Sequence, residues 1–492
     1  MKKDLLLGID FGTGGCKVTL LDTAGNLVDT VSGEYHTSHP KPGYAEQNPS
    51  DWYFTMCAVI GKLKLRGRIA AVALDSYTHG AVLLDEKMQV IRPTIIWTDQ
   101  RSVKECEFLK KNHFDLIFNT AYQAPTPTWT LPQMLWLKKN EPENFARIRH
   151  ISFVKDYIRY LLTGELACDC IESQGTLFWD MKKSCWSEEL CGLADLPFKA
   201  LPRISKPTDM AGKLTAKAAS ETGLPKSIPV IMGASDSAVE DYASGAIEPG
   251  QCILKLATAG NVNVMTSKPY PHPETLTYSH IVPNLWYTVT ATNSAAICQR
   301  WFRDNFCAAG TNYEELNEIA SQSPPGSNGV FFHPYLMGER SPYWDPCLRG
   351  GFTGLSMASS KADMSRALLE GVAFSLRDCY RTIEKIGIRT NELILIGGGA
   401  KSQLWSRIIC DVFNAPVKCP AICDASFGSA LLAGVGIGAF NDEISAVRQC
   451  LKFEREIAPV TENAEFYARQ FGHYRNIHDA LSDVYHNMNH TK

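Results

Sequence analysis

The sequence predicts an α/β protein built from two related halves, and three stretches carry that expectation. Leu5 to Leu21 reads LLLGIDFGTGGCKVTLL, an apolar run, a glycine-rich turn and a second apolar run. Cys252 to Met265 repeats the pattern, with a small-residue turn at Thr258-Ala259-Gly260. Leu393 to Ile396 is a short apolar strand that Gly397, Gly398 and Gly399 turn into a helix from Lys401 to Phe413. Apolar runs of this length bounded by turn residues suit buried strands. Two stacked copies of one β-rich unit would set two such turns face to face across a cleft.

The remaining elements follow in order. Leu27 to Val31 is a third strand. His36 to Gln47, with Pro40, Pro42 and Gly43, is loop. Asn48 and Pro49 supply an N-cap and first-turn pair for a helix to about Lys64. Ile69 to Leu74 is a strand that ends in the polar loop Asp75 to Gly80, and Ala81 to Leu84 resumes as strand. Ile95 to Asp99 ends another strand, with Arg101 at a helix start. Residues 108–220 read as helices and loops, the clearest helices being Trp129 to Lys139 and Phe153 to Leu162. Val230 to Met232 is a strand leading into Gly233-Ala-Ser-Asp236, and Gly245 to Gly250 marks the domain boundary. Phe331 to Gly351 is irregular. Ser360 and Asp363 form a capping box for a helix to about Ile386. Ser426 to Gly438 is a helix of small residues.

The chain of 492 residues carries a net charge of −3 with both signs interspersed. That balance points away from nucleic acid and from an anionic membrane surface. No run reaches the length of a spanning helix, and the opening apolar run is too short for a signal peptide. The 16 cysteines are scattered singly. Cys168/Cys170 and Cys419/Cys423 lack zinc spacing, so reduced thiols in a cytoplasmic protein are expected.

Chemistry concentrates at the turns. Gly12, Gly14 and Gly15 let a backbone approach a ligand closely and present N–H groups to phosphate. Thr13 adds a hydroxyl and Lys17 a charge, while Asp10 at the strand end suits a hydrated magnesium ion. A tight hairpin with a polar turn is the plainer reading. Three glycine- or small-residue turns, at Gly12, Thr258 and Gly397, together favour nucleotide binding. The third, GGGAKS, is not a P-loop, because Ala400 precedes Lys401 where that motif needs glycine. Asp236 fits either a base that takes a proton from a substrate hydroxyl or a helix N-cap. His79, Asp99 and Arg101 lie at strand ends where a polyhydroxylated ligand could bind, with Trp97 stacking on it. For His79 alone a structural hydrogen bond is favoured, and Asp99 and Arg101 could pair with each other.

The whole length resembles the FGGY carbohydrate kinases of the sugar kinase, Hsp70 and actin superfamily. Asp10, Gly12, Thr13 and Lys17 resemble the first phosphate loop of that family. GYAEQNPSDWY from Gly43 is similar to the stretch before its first long helix. THG at Thr78 to Gly80 and WTDQR at Trp97 to Arg101 resemble its sugar-binding loops, GASD ending at Asp236 its base motif, and TAG at Thr258 its second phosphate loop. GERSPYWDP from Gly338, with Leu369-Glu370-Gly371, resembles its second-domain signature. GGGAKSQLW from Gly397, with Asn414, resembles its adenosine motif.

The resemblance implies two RNase H-like domains around a hinged cleft, with a sugar-binding domain at 1–245 and an ATP-binding domain at 246–492. It implies ATP and Mg2+, with Asp236 as general base and Asp10 on the metal. Gly12, Thr13, Gly14, Lys17, Thr258, Gly260, Gly398, Gly399, Ala400, Ser402 and Asn414 would hold the nucleotide. His79, Gly80, Trp97, Asp99, Arg101 and Asp236 would hold a small sugar. No nucleic acid or membrane partner is implied, and a homodimer is allowed.

Two departures stand out. Tyr77 and Thr78 replace the Gln-Met usual before His-Gly in xylulose kinases, a change expected to act on substrate choice. Ala259 replaces a serine in the second phosphate loop, which removes one hydroxyl donor. The nearest sub-pattern is that of pentulose kinases, with polyols and sugar acids as alternatives. A nucleotide switch of the actin or Hsp70 kind would not need THG, WTDQR or GASD, and a sugar sensor without catalysis would not need Asp10 and Asp236.

Overall fold

The computed structural model describes residues 3–489; the outermost ends of the two expected domains, residues 1–2 and 490–492, lie outside the described residues. The chain divides into two compact units. Unit 1 comprises Met1–Gly245, Tyr278–Asn284 and Ile422–Leu451, and unit 2 comprises Ala246–Thr277, Leu285–Ala421 and Lys452–Lys492.

In unit 1 the opening hairpin forms as expected. Strands β1 (Leu5–Gly12) and β2 (Gly15–Asp22) pair antiparallel around a two-residue turn, Thr13-Gly14. β3 (Leu27–Glu34) continues the meander, and helix α1 (Pro49–Lys62) starts at Asn48, whose side chain accepts the Ser50 N–H. β4 (Ile69–Ser76) runs parallel to β1, β5 (Met210–Lys213) closes the far edge, and β6 (Pro229–Ser235) runs parallel to β4. Helix α2 (Asp236–Ala243) follows directly. The resulting sheet has the order β5-β6-β4-β1-β2-β3.

Unit 2 repeats this plan strand for strand. β7 (Gln251–Leu256) and β8 (Gly260–Thr266) form the hairpin, and β9 (Trp286–Thr292) extends it antiparallel. Helix α3 (Lys361–Lys385) opens on the Ser360–Asp363 capping box. β10 (Glu392–Ile396) lies parallel to β7, and β11 (Val417–Pro420) parallel to β10 after helix α4 (Gln403–Phe413). β12 (Phe453–Ile457) closes antiparallel on β11. Six of the seven strands of this sheet thus run β12-β11-β10-β7-β8-β9, the same senses in the same order as in unit 1. The faint repeat read at Cys252 is a full structural repeat.

The single boundary expected after residue 245 does not describe the units, because two later segments, Tyr278–Asn284 and Ile422–Leu451, belong to unit 1. The segment Ile422–Leu451 returns to unit 1 and carries helix α5 (Ala425–Gly436). The cause is steric and polar together. A Cβ on Gly8 of β1 would lie 1.8 Å from the Ser426 carbonyl oxygen, and one on Gly428 would lie 2.6 Å from the Val239 backbone. Helix and sheet approach closely because these residues have no side chains. Thr19 and Ser426 hydroxyls then meet at 2.6 Å, and the Ser429 hydroxyl donates to Asp75 at 2.6 Å.

Two further differences concern helices. The expected helix start at Lys401 is a 3-10 turn, Gly398–Lys401, and α4 begins only after Ser402, whose hydroxyl caps Trp405 N–H at 3.2 Å. The long helix α6 (Thr461–Asn489) was not anticipated. Its buried Ala464, Tyr467, Tyr474 and His478 follow a helical spacing on one face.

Because Gly8 touches backbone rather than a flexible side chain, Gly8→Ala should force α5 off the sheet. Overpacking of this kind costs roughly 1–3 kcal/mol, so calorimetry should show a lower melting temperature for the variant. An unchanged transition would contradict the packing described.

Candidate active site

Strands β1, β4 and β6 are neighbours, parallel and in register, so their carboxyl ends line up. Asp10 stands opposite Asp75, and Ala234 and Ser235 stand opposite Asp75 and Ser76. Asp236 follows β6 immediately. Three carboxylates therefore share one edge, the place where open α/β sheets bind ligands. Close passage at this edge requires Gly233, which has φ +71° and where a Cβ would fall 1.7 Å from the Leu74 carbonyl oxygen.

The electrostatics are those of crowded acids. Asp75 is fully buried, and burial, followed by Asp10, pushes its carboxyl well above the usual range. Asp10 is partly exposed. Burial of its carboxylate raises its pKa from 3.8 to about 7, with Asp236, Asp424 and Glu240 adding repulsion. Oδ1 of Asp10 and Oδ1 of Asp75 are buried with no hydrogen-bond donor among the described residues. Burial also works against charge on Asp424, yet hydrogen bonds from Lys17 and Ser426 hold it below the usual range.

The Thr13-Gly14 turn is held at the same edge. Gln47, buried beside it, donates from Nε2 to the Thr13 carbonyl at 2.7 Å. Its Oε1 accepts from Trp52 Nε1 at 2.9 Å and from the Tyr77 hydroxyl at 2.8 Å. The Tyr35 hydroxyl donates to the Gly12 carbonyl. Trp97 donates from Nε1 to Thr13 Oγ1 at 2.8 Å, so an exposed indole lies against the turn. Lys17 is engaged rather than open, its Nζ 2.9 Å from Asp424 Oδ2.

In the polar loop after β4, Tyr77 is buried against Trp52 and bonded to Gln47, so its role is to tie this loop to the Thr13 turn. Thr78 is partly exposed. His79 adopts φ +77°, rare for a residue with a side chain. Thr130 donates to its carbonyl at 3.0 Å, and its Nδ1 donates to the Gly175 carbonyl at 2.5 Å. Burial lowers its pKa to about 4. The ring is therefore neutral near pH 7, with Nε2 as the acceptor. Gly80 is buried behind it.

Asp99 and Arg101 are fixed to each other. Arg101 donates from Nε to Asp99 Oδ1 at 2.9 Å and pairs through its second nitrogen with Oδ2 at 2.7 Å. Asp99 also accepts the Ala45 N–H at 2.6 Å, and Arg101 reaches Glu46 at 2.7 Å while stacking on Tyr44. Both side chains are 1% exposed, so they brace the loop that carries Trp97. The pairing that the sequence allowed is present.

Asp236 is the first residue of α2, partly exposed, with Oδ1 accepting Ser237 N–H at 2.6 Å and the Ser237 hydroxyl at 3.1 Å. Ser235, not Asp236, occupies the N-cap. A helix N-terminus favours an ionised carboxylate.

Unit 2 places its two turns on the equivalent edge. β7 and β10 are parallel, and a Cβ on Gly397 (φ +90°) would lie 2.6 Å from the Leu256 carbonyl oxygen. Gly399 packs on Leu256 and Trp405. Thr258 and Gly398 are exposed, while Gly260, Gly399 and Ala400 are buried. The Thr258 carbonyl accepts Ala295 N–H at 2.9 Å. Ser402 is spent on capping α4. Asn414 lies at the other end of α4. It ends α4 in a left-handed conformation, about 16 Å of helix away from Ser402.

Sequence reasoning missed Asp75, Gln47 and Glu172 as site residues. Asp75 stands at a strand end opposite Asp10, a placement that strand pairing sets. Glu172 is fully buried, and neither carboxylate oxygen has a hydrogen-bond partner among the described residues. Burial pushes its carboxyl well up, with Asp236 among the acids that add to the rise.

Two copies of one sheet, each with a glycine or small-residue turn at its carboxyl edge, and three acids beside one of them, define a phosphotransferase architecture. The model of the FGGY family of carbohydrate kinases, N-terminal domain, matches residues 5–240, and that of the C-terminal domain matches residues 256–437. The chain belongs to this family and is a sugar kinase that uses ATP. It is 31% identical over 487 residues to the xylulose kinase of Staphylococcus xylosus, covering 96% of this chain and 99% of that one. Its fold is similar to crystal structures of xylulose kinase from Rhodospirillum rubrum (TM-score 0.91, 27% identity, 98% of this chain and 100% of that one). It is equally similar to gluconate kinase from Lactobacillus acidophilus (TM-score 0.92, 26% identity, 98% and 99%). Among the described residues no helix is long and apolar enough to cross a membrane.

The raised Asp10 carboxyl sets a pH dependence. The unfolded group titrates near 3.8 and the folded one near 7, so between them the folded chain holds the extra proton. Its contribution to stability is full below about 4 and is lost as pH rises through about 7. The melting temperature of Asp10→Asn should therefore fall less than that of the wild type between about pH 5 and about pH 8. Parallel curves would refute the assignment.

Proposed function

We propose that the enzyme transfers the γ-phosphate of ATP to a hydroxyl of a pentulose or closely related small sugar, with Asp236 as general base. The observation that carries this reading is the shared edge of Asp10, Asp75 and Asp236 beside the Thr13-Gly14 turn. In this scheme Asp236 takes the hydroxyl proton, the sugar oxygen bonds to the γ-phosphorus, and the bond to the β-phosphate oxygen breaks to release ADP. Ser237 orients the carboxylate through Oδ1, and the helix terminus beneath it favours negative charge there. His79 offers Nε2 as an acceptor to a sugar hydroxyl, and Trp97 offers an exposed ring face. Within unit 1 Thr13 and Gly14 would present phosphate-binding groups; within unit 2, taken by itself, the Thr258 turn would do the same, and Gly398 and Gly399 would allow a nucleotide a close approach.

A magnesium ion fits Asp10 and Asp75. Both present a buried carboxylate oxygen without a donor, and an all-oxygen donor set is what this ion takes. When bound it would neutralise charge on the phosphate oxygens. The 16 singly scattered cysteines support a cytoplasmic enzyme.

The pentulose reading rests on the relatives named as xylulose kinases. A sugar acid is the second reading, favoured by the likeness to gluconate kinase. Steady-state ADP release measured against pentuloses, hexuloses, polyols and aldonic acids should show turnover on one class. Asp236→Asn should reduce that turnover at least about a hundredfold and leave ATP affinity unchanged. An active variant would remove Asp236 from the mechanism, and turnover confined to aldonic acids would replace the pentulose.

A further inference from the structure

We propose that Asp345, Cys347 and His486 in unit 2 form a binding site for one zinc-class divalent cation, separate from phosphoryl transfer. One carboxylate oxygen, the Cys347 sulfur and one imidazole nitrogen lie within 4.8 Å of one another. The site is assembled from two distant elements, the irregular segment after Gly338 and helix α6.

The ligands are positioned before any ion arrives. Glu339 and Asp345 exchange backbone hydrogen bonds at 2.8 and 2.9 Å, which closes a tight loop. Gly338 (φ +65°) permits it, since a Cβ there would lie 2.7 Å from Pro346 Cα. The Cys347 N–H donates to Asp345 Oδ1 at 2.8 Å and so fixes the carboxylate. Oδ2 then faces His486 Nε2 at 2.6 Å.

The donor set decides the class of ion. Thiolate, imidazole and carboxylate together suit Zn2+ with water in a fourth position, and disfavour Mg2+ and Ca2+, which take oxygen ligands. The side chains of His486 and Asp345 are 43% and 17% exposed, which leaves an entry path. Binding would release the Cys347 thiol proton, together with the proton between Asp345 and His486 where the imidazole is charged.

A second cluster, Asp156, Cys168 and Asp169, meets the same distance criterion but has no such role. Lys155 Nζ already sits 2.5 Å from both carboxylates in a fully buried network. That ammonium supplies the positive charge a metal would bring.

The test is titration of chelator-treated, full-length protein with Co2+, followed by Zn2+. One equivalent of Co2+ should produce a thiolate-to-cobalt charge-transfer band that Zn2+ abolishes, and Zn2+ alone should raise the melting temperature. Cys347→Ser should lose the band, and His486→Gln should weaken binding at least about tenfold. Circular dichroism should show both variants folded, and both should keep wild-type sugar phosphorylation. Absence of a band in the wild type would overturn the site, as would a band that persists in Cys347→Ser. The outcome is independent of the kinase reading, because no residue of that reading is altered.

Discussion

The parallel register of β1, β4 and β6 is the constraint on which the site depends. Once these strands pair in parallel with Asp10 opposite Asp75, their carboxyl ends coincide and the acids cannot avoid one another. Burying carboxylates costs free energy unless they are protonated, hydrogen-bonded or paired with a cation. The fold answers differently for each. Asp424 has Lys17, Asp75 has the Ser429 hydroxyl, and Asp236 has a helix terminus. Asp10 and Asp75 each retain an unsatisfied oxygen, and burial raises the pKa of both. What remains is an edge with unspent negative charge, suited to a cation and to accepting a proton.

The same strand order in unit 2 yields a different edge. Its parallel strands β7 and β10 end in small residues rather than acids, so that edge offers backbone at Thr258 and Gly397 to Gly399. One folding solution thus serves two chemical purposes, set by the few residues that follow each strand. The return of α5 to unit 1 belongs to the same logic. Gly8 and Gly428 admit the helix, and the helix delivers Ser426, Ser429 and Asp424 to the acidic edge.

Most of this was legible where local patterns decide. Both hairpins, the capped helices α1 and α3, and the glycine turn before α4 follow from spacing and capping residues. The turn at Thr13, His79, Trp97 and Asp236 could be nominated because polar residues after apolar strands are visible in one dimension. Registry was not visible. Asp75 matters because of its neighbour on another strand, and Gln47 because four partners converge on it. Asp99 and Arg101 have the composition of ligand contacts, and only burial shows that each satisfies the other. Asn414 lay near a nucleotide motif in sequence, but a helix carries it away. The Asp345–His486 contact spans 141 residues, beyond the reach of any spacing rule for metal ligands.

The central claim is that Asp236 activates a sugar hydroxyl for attack on ATP. Its most direct test is a rapid-quench, single-turnover experiment with γ-phosphate-labelled ATP and the sugar class that supports turnover. The account predicts that label passes to the sugar in the wild type, whereas in Asp236→Asn it remains on bound ATP. Label released as inorganic phosphate in the wild type, or transferred to sugar at an undiminished rate in the variant, would contradict it.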